Sequence, residues 1–140
     1  MDDERRGGAR LTRGPIARLQ ARVQRLIQTR FWGMDIHPSA QIATTALIDR
    51  TWPRGVHIGQ DCIICEEAVV LTHDLTRGLY LHTRLGARTV MGPRSIVMPG
   101  VTVGEDCVLQ PGAVVIRDMP AGSEARGNPA EITPRMPDET

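Results

Sequence analysis

The sequence contains no lysine, so all 17 of its basic side chains are arginines. Any anionic ligand must therefore be held by guanidinium groups, backbone N–H groups or helix ends. A net charge of +1 gives no overall attraction to nucleic acid, and no such partner is expected. No apolar run reaches the roughly 18 residues of a transmembrane helix. The polar opening MDDERRGGAR lacks the apolar core of an export signal, which predicts a cytoplasmic protein.

Aromatic residues make up only 3% of the chain, fewer than an ordinary globular core uses. A core built from stacked aliphatic and small side chains would not need more aromatic residues. Cysteine is also sparse, at Cys62, Cys65 and Cys107. The Cys62-x-x-Cys65 spacing allows a zinc site. Because no second such pair exists, we predict no metal and interpret the thiols as apolar fillers. Disulfides are not expected in a chain without an export signal.

What the sequence does contain is a repeat of six residues. From residue 36, with two interruptions, every sixth residue is aliphatic: Ile36, Ile42, Ile48, Ile58, Ile64, Val70, Leu85, Met91, Val97, Val103, Leu109 and Val115. Four places beyond most of these stands a small residue: Ala40, Ala46, Cys62, Ala68, Thr89, Ser95, Cys107 and Ala113. A period of six matches neither a helix nor simple strand alternation. It predicts short strands that turn at regular intervals.

Three such hexads make one triangular coil, and stacked coils pair their backbones. The spacing therefore predicts an all-β parallel β-helix of four coils, at residues 36–53, 58–75, 85–102 and 103–120. The alternative is an irregular, valine-rich β sandwich, whose turns would be less evenly spaced. We expect three regions in the chain. Residues 1–35 form an arm with a capping helix, residues 36–120 form the β-helix with a loop insertion at 76–84, and residues 121–140 form an extension.

Residues 15–30 are predicted to form an amphipathic helix, because their apolar residues recur at helical spacing: Ile16, Leu19, Val23, Leu26 and Ile27. Two interpretations stay open. The helix caps the open end of the first coil, or residues 15–32 lie on a membrane surface, with Phe31 and Trp32 as anchors.

His73 is the strongest candidate for chemistry, because it lies at a predicted corner directly before the long insertion. The next residue, Asp74, occupies a position otherwise filled by a small inward residue, where a carboxylate needs a partner or solvent. Position alone allows either a functional histidine or a surface His–Asp corner that only holds the loop. Tyr80 and His82, in the insertion, either contact a substrate or pack the loop. His37 and His57 are expected to be structural.

The segments VLTHD, VMPGVTVGEDCVLQPGAVVIRDMP and GNPAEI resemble the hexapeptide-repeat acyltransferase superfamily, over residues 34–132. They are most similar to its polysaccharide and xenobiotic O-acetyltransferase branch. The resemblance implies left-handed coils, a homotrimer, acetyl-CoA as co-substrate with no tightly bound cofactor, and a sugar or polysaccharide precursor as acceptor.

The resemblance also assigns individual residues. It implies His73 as general base for direct transfer, with Asp74 or another carboxylate orienting its ring. It implies CoA contacts at Gly92, Gly112, Arg117, Gly127, Asn128, Pro129 and Ala130. Three residues depart from the pattern of this branch, namely Pro93, Pro111 and Glu131, and the two prolines lack a backbone donor. A non-catalytic scaffold or binding protein therefore stays open. So does a zinc-dependent lyase of the carbonic-anhydrase type, although it needs converging histidines and none follows His82.

Overall fold

The computed structural model describes residue 11 and residues 14–136. The rest of the predicted arm, and residues 137–140 of the predicted extension, lie outside the described residues. Helix α1 (Pro15–Leu26) continues into a π-helical turn, Ile27–Phe31. The strands are β1 (Asp35–Ile36), β2 (Gln41–Ile42), β3 (Leu47–Ile48), β4 (Val56–Ile58), β5 (Ile63–Ile64), β6 (Val69–Val70), β7 (His73–Asp74), β8 (Leu79–Tyr80), β9 (Thr83–Leu85), β10 (Val90–Met91), β11 (Ile96–Val97), β12 (Thr102–Val103), β13 (Val108–Leu109), β14 (Val114–Val115), β15 (Ser123–Arg126) and β16 (Glu131–Pro134). A 3-10 turn at Pro53–Gly55 precedes β4.

The strands form three parallel faces, as the six-residue period predicts. The first face is β1-β4-β9-β12, the second contains β2-β5-β10-β13, and the third is β3-β6-β11-β14. On the first face the aliphatic residues of successive coils pair directly, as in Ile36 with Ile58 and Ile58 with Leu85. The predicted β-helix, with its four coils, is confirmed. The second face continues through β15, which pairs with β13, and ends in the antiparallel β16.

The interior follows the predicted pattern position by position. All twelve aliphatic residues of the repeat are buried, and so are all eight small residues of the repeat. Because the same kind of side chain recurs at each level, the columns fill the described interior without an aromatic residue among the buried side chains. Cys62 and Cys107 are fully buried in the small positions.

Glycines set the spacing of the coils where a glycine follows the aliphatic residue. A Cβ atom added at Gly104 would lie 2.5 Å from the backbone nitrogen of Ala121, and one at Gly86 would lie 2.6 Å from that of Glu105. A Cβ at Gly92 would likewise lie 2.7 Å from the carbonyl oxygen of Leu109. The missing side chain therefore lets one coil rest directly on the next.

The predicted loop at 76–84 is instead a β-hairpin that begins earlier. Strands β7 and β8 pair antiparallel, with His73 opposite Tyr80. The regular coil resumes at Thr83, in β9. The reason is local, because Asp74 accepts hydrogen bonds from the backbone N–H groups of Thr76 (3.0 Å) and Arg77 (3.1 Å), which close the turn.

Helix α1 lies at the end of the first coil but contacts it through polar groups. The guanidinium of Arg25 donates to the carbonyl oxygens of Ala40 (2.6 Å) and His37 (3.1 Å), and Gln28 is buried after the helix. No residue of α1 itself is buried, and its large apolar side chains remain exposed. Among the described residues, no helix is long and apolar enough to span a bilayer.

Candidate functional site

Five aromatic and imidazole rings form a continuous row beside the hairpin, which we call the ring row: His73, Tyr80, Trp52, His82 and His57. His73 stacks on Tyr80, with ring centroids 4.6 Å apart and planes inclined by 21°. Trp52 meets Tyr80 at 6.0 Å and His82 at 4.9 Å, edge to face in both contacts. His57 and His82 are 5.0 Å apart. The row joins residues of two coils and the hairpin in one surface.

The far end of the ring row is a hydrogen-bonded chain. Asp35 Oδ2 lies 2.8 Å from His57 Nδ1, and His57 Nε2 lies 2.8 Å from His82 Nδ1. A carboxylate oxygen accepts, so His57 Nδ1 donates to it, and a neutral His57 then has a lone pair at Nε2. His82 Nδ1 must donate to that lone pair. The Nε2 atom of His82 is therefore left as an acceptor, on an exposed side chain.

A carboxylate in the coil below holds the backbone of His73. Asp49 Oδ2 accepts from the N–H groups of Thr72 (2.9 Å) and His73 (3.0 Å), and Oδ1 accepts from that of Thr51 (2.8 Å). Partial burial alone would raise the pKa of Asp49, but these backbone hydrogen bonds outweigh it and lower the pKa below its ordinary value. Asp49 therefore stays ionised at neutral pH. It also occupies the two amides beside the His73 ring, so neither of them can serve an oxyanion.

Asp74 does not act on the His73 ring in this structure. Its Oδ1 accepts from the hydroxyl of Thr76 (2.6 Å), and its Oδ2 accepts from Arg77 Nε (2.6 Å). The Thr76 and Arg77 hydrogen bonds, in that order, hold the pKa of Asp74 well below its usual range. The sequence-based expectation that Asp74 orients the imidazole is therefore not what these contacts show. Because the hairpin turns immediately after β7, the carboxylate is used within the turn.

Buried hydroxyl groups fix the base of the hairpin. Thr72 Oγ1 donates to the carbonyl oxygen of Trp52 (2.8 Å), and Thr83 Oγ1 donates to that of Leu71 (2.6 Å). Both threonines are fully buried. Gly55 is buried as well, and a Cβ atom there would overlap the indole of Trp52. The ring row is thus attached to the core at both of its supporting segments.

An open groove of about 510 Å³ runs along the first face beside the Asp35–His57 pair. Arg84 and Thr102 continue the column above His57, in register on the next coils. The groove therefore has a carboxylate, an imidazole and a guanidinium along one line. Two larger grooves lie beside α1, and the second of them shares Ile36 and Pro38 with the groove on the first face.

Most of the predicted CoA contacts gather around the last strand of the third face. Gly112 precedes β14 and Arg117 follows it, and both are exposed. The turn at 127–130 closes on β14, with Val114 N donating to the Gly127 carbonyl and Ala130 N donating to the Val114 carbonyl, both at 2.9 Å. Arg117 lies on the same corner of the β-helix as His73, two coils further along, which is roughly 10 Å at about 4.8 Å per coil. Gly92, another predicted CoA contact, is buried, and the close approach of the next coil explains why a glycine stands there.

The described residues bring together no group of three or more His, Cys, Asp or Glu side chains that could hold a metal ion. Cys62 and Cys65 are free thiols, and burial raises the pKa of both. His37 lies outside the ring row and bonds to Ser39, a local contact that fits its expected structural role.

Sequence reasoning missed Asp35, Asp49 and Trp52, and it treated His57 as structural. One signal was available. Asp35 and His57 each stand directly before a core isoleucine of the repeat, so they occupy the same outward position on neighbouring coils. Two such residues must be adjacent, as strand pairing brings them within side-chain reach.

Comparison with known proteins places the chain in context. The family described as "Bacterial transferase hexapeptide (six repeats)" matches residues 82–117. A serine acetyltransferase of Helicobacter pylori is 34% identical over 122 residues, which cover 83% of this chain and 67% of that enzyme. Serine acetyltransferase 2 of Arabidopsis thaliana is 28% identical over 120 residues, covering 81% of this chain and 35% of that protein. The chain thus spans about a third of the plant relative's length.

Solved structures agree on the fold. A hexapeptide-repeat-containing acetyltransferase of Vibrio cholerae superposes with a TM-score of 0.59 at 16% identity, over 84% of this chain and 82% of that chain. A galactoside acetyltransferase in complex with coenzyme A superposes with a TM-score of 0.52 at 14% identity, over 91% and 86% of the two chains. These matches support the left-handed coil that the resemblance predicted.

Proposed function

This chain belongs to the hexapeptide-repeat family of bacterial transferases, and we propose that it transfers an acetyl group from acetyl-CoA to a hydroxyl of a sugar or polysaccharide precursor. The observation that carries the proposal is the ring row. It presents two imidazoles, the half-buried His73 and the exposed His82, on one edge of the β-helix. The proposal concerns this chain alone and not the additional parts of its longer relatives.

In the proposed reaction, His73 is the general base. Its neutral imidazole takes the proton of the acceptor hydroxyl as the oxygen attacks the thioester carbonyl of acetyl-CoA. The carbon–sulfur bond then breaks, and the imidazolium returns the proton to the departing thiolate. Products are the acetyl ester and free CoA, so no covalent intermediate on the protein is needed. Tyr80, stacked on His73, fixes the plane of the imidazole, and Asp49 fixes its backbone.

The acceptor is proposed to lie along the ring row, with His82 and Tyr80 as its contacts. The exposed Nε2 of His82 accepts a hydrogen bond from a second hydroxyl of the acceptor, because Asp35 and His57 hold the ring in the required tautomer. Trp52 offers an aromatic face between the two imidazoles. A polyhydroxylated acceptor could contact both His73 and His82, which favours a sugar over a simple alcohol.

The donor is proposed to follow the same corner towards the C-terminal coil. Arg117, Gly112 and the turn at 127–130 (Gly127, Asn128, Pro129 and Ala130) lie there, and the exposed guanidinium suits a phosphate of CoA. The similar galactoside acetyltransferase was solved with coenzyme A, which is consistent with this donor. We also propose the homotrimer that the resemblance implies, because the ring row and the groove are open on their outer side. Light scattering should then give three times the chain mass of 15.4 kDa.

Acetyl-CoA consumption tests the proposal. Purified protein is incubated with acetyl-CoA and, separately, maltose, a galactoside or serine, and the released thiol is measured. We expect turnover with a sugar and a loss of roughly 10²–10⁴-fold in kcat for His73→Gln. His57→Gln should raise KM for the acceptor more than it lowers kcat. His37→Gln is the matched control, since His37 lies outside the ring row.

The possible results test the acceptor, the general base and the catalytic activity separately. Turnover with serine alone overturns the sugar acceptor and leaves acetyl transfer intact. A His73→Gln variant with the kcat of the wild type overturns His73 as the base. No thiol release above hydrolysis with any acceptor favours the non-catalytic scaffold.

A further inference from the structure

The apolar stripe of α1 is largely left uncovered by the rest of the protein, although part of it borders a groove shared with residues 44–48 of the first coil. At about 100° per residue, Ile16, Leu19, Val23, Leu26 and Ile27 fall within an arc of roughly 100°. These side chains are between 45% and 75% exposed, and Phe31, just beyond, is 79% exposed. An amphipathic helix normally buries this stripe against its own core. Here a different side of the helix meets the first coil.

The orientation of the helix is fixed by specific contacts. Arg25 is bonded to the carbonyl oxygens of His37 and Ala40, and the carbonyl of Gln28 accepts from the backbone N–H of Met34 at 3.0 Å. Both Gln28 and Met34 are buried. Because Arg25 lies on the side of the helix opposite the stripe, these contacts leave the stripe exposed. Grooves of about 580 and 790 Å³ lie on either side of α1, and Leu19, Val23 and Ile27 form one wall of the smaller groove.

The charge of this segment is of one sign. Residues 14–34 contain four arginines, at 18, 22, 25 and 30, and no acidic residue. Arg18, Arg22 and Arg30 are exposed. A second copy that docked its own stripe on this one would bring these guanidinium groups together with no carboxylate on either helix, which is unfavourable. An anionic surface that also accepts apolar side chains satisfies both features.

We propose that α1 and Phe31 attach the protein to the surface of an anionic lipid bilayer. The stripe and the phenyl ring enter the boundary between headgroups and acyl chains, while the exposed arginines pair with anionic headgroups. The helix lies in the plane of the membrane and does not cross it. This surface is separate from the ring row, so it holds whether or not the acetyl transfer proposal is correct.

Vesicle sedimentation of the full chain tests the proposal. The two probes are vesicles of phosphatidylcholine alone and vesicles with about a quarter phosphatidylglycerol. Three exposed arginines at about fivefold each predict roughly a hundredfold stronger partition onto the anionic vesicles. Binding should weaken as salt rises from about 0.01 to 0.15 M.

Two variants separate the contributions. Leu19→Ser with Val23→Ser removes the stripe and should abolish binding, whereas Arg18→Gln with Arg22→Gln should reduce it roughly 25-fold, at about fivefold per arginine. Ile116→Ser is the matched control, because Ile116 is similarly exposed but lies in the last coil. Circular dichroism checks that each variant is folded.

Equal binding to both kinds of vesicle, or to neither, overturns the proposal. So does a wild-type-like response of the stripe variant. Light scattering covers the remaining alternative. If Leu19→Ser with Val23→Ser lowers the oligomeric state and vesicles bind neither protein, the stripe is a contact between copies of this chain. If the stripe variant does not fold, vesicle binding by the Arg18→Gln, Arg22→Gln variant tests the proposal, and binding equal to that of the wild type overturns it.

Discussion

Replacing Asp49 by alanine should destabilise the protein and displace His73. The carboxylate accepts three backbone hydrogen bonds, from Thr51, Thr72 and His73. Bonds to a charged acceptor contribute about 1.5–3 kcal/mol each when both partners leave water, and less where solvent can replace the acceptor. Thr72 is fully buried, so water cannot replace the carboxylate as the acceptor for its amide. The exposed Thr51 and half-buried His73 are partly hydrated. We therefore expect a loss of about 2–4 kcal/mol.

Thermal unfolding measures this loss. For a chain of this size it corresponds to a fall in Tm of roughly 6–15 °C. Asp118→Ala is the matched control, since Asp118 accepts a backbone bond from the exposed Thr102 at 2.8 Å. That variant should lose no more than about 1 kcal/mol. If acetyl transfer is observed, kcat of Asp49→Ala should fall roughly tenfold or more, because small displacements of a base are costly.

The pH dependence gives an independent check. The folded-state pKa of Asp49 lies below its ordinary value of 3.8, so its contribution is present above pH 3.8 and is lost as pH falls through the folded value. The stability difference between the wild type and Asp49→Asn should therefore narrow below pH 3.8. The reasoning is refuted if Asp49→Ala melts with the wild type, or if the difference from Asp49→Asn grows in acid.

The remaining predictions concern packing, ring stacking and thiol reactivity. Gly104→Ala should cost about 1–3 kcal/mol in urea unfolding, since its Cβ would press on the backbone of Ala121; an unchanged midpoint would contradict the coil spacing. Tyr80→Leu should lower kcat while costing only about 0.5–1.5 kcal/mol, because it removes the ring stacked on His73. Cys65 should react slowly with iodoacetamide at pH 7 and faster above its ordinary pKa of 9.0, because burial raises that pKa; fast labelling at pH 7 would count against it.

The interior of this fold could be predicted from the sequence because its packing repeats. An inward residue such as Ile64 or Met91 meets the same neighbours in every coil, so one rule fixes all twelve aliphatic positions. The same reasoning correctly placed Cys62 and Cys107 in the small positions. A one-residue slip would reverse inside and outside, which makes the register strongly determined.

The outward residues follow no such rule. His73 was found because it stands at a break in the repeat, but its partners could not be read from spacing. Tyr80 reaches it only because the insertion folds as a hairpin, and Trp52 comes from the coil below. The same applies to α1, whose apolar period is clear while the Arg25 contacts decide which way it faces.

The level at which the hairpin leaves the stack has a consequence for local opening. In a linear array each unit is supported by its neighbours, so the terminal units exchange with solvent first. The hairpin leaves between the second and third coils, so a complete coil lies on either side of the junction. Hydrogen exchange should therefore show the amide of Thr72 opening later than those of Gln41 and Glu124. The ring row would therefore keep its structure while the coils at both ends of the β-helix open locally.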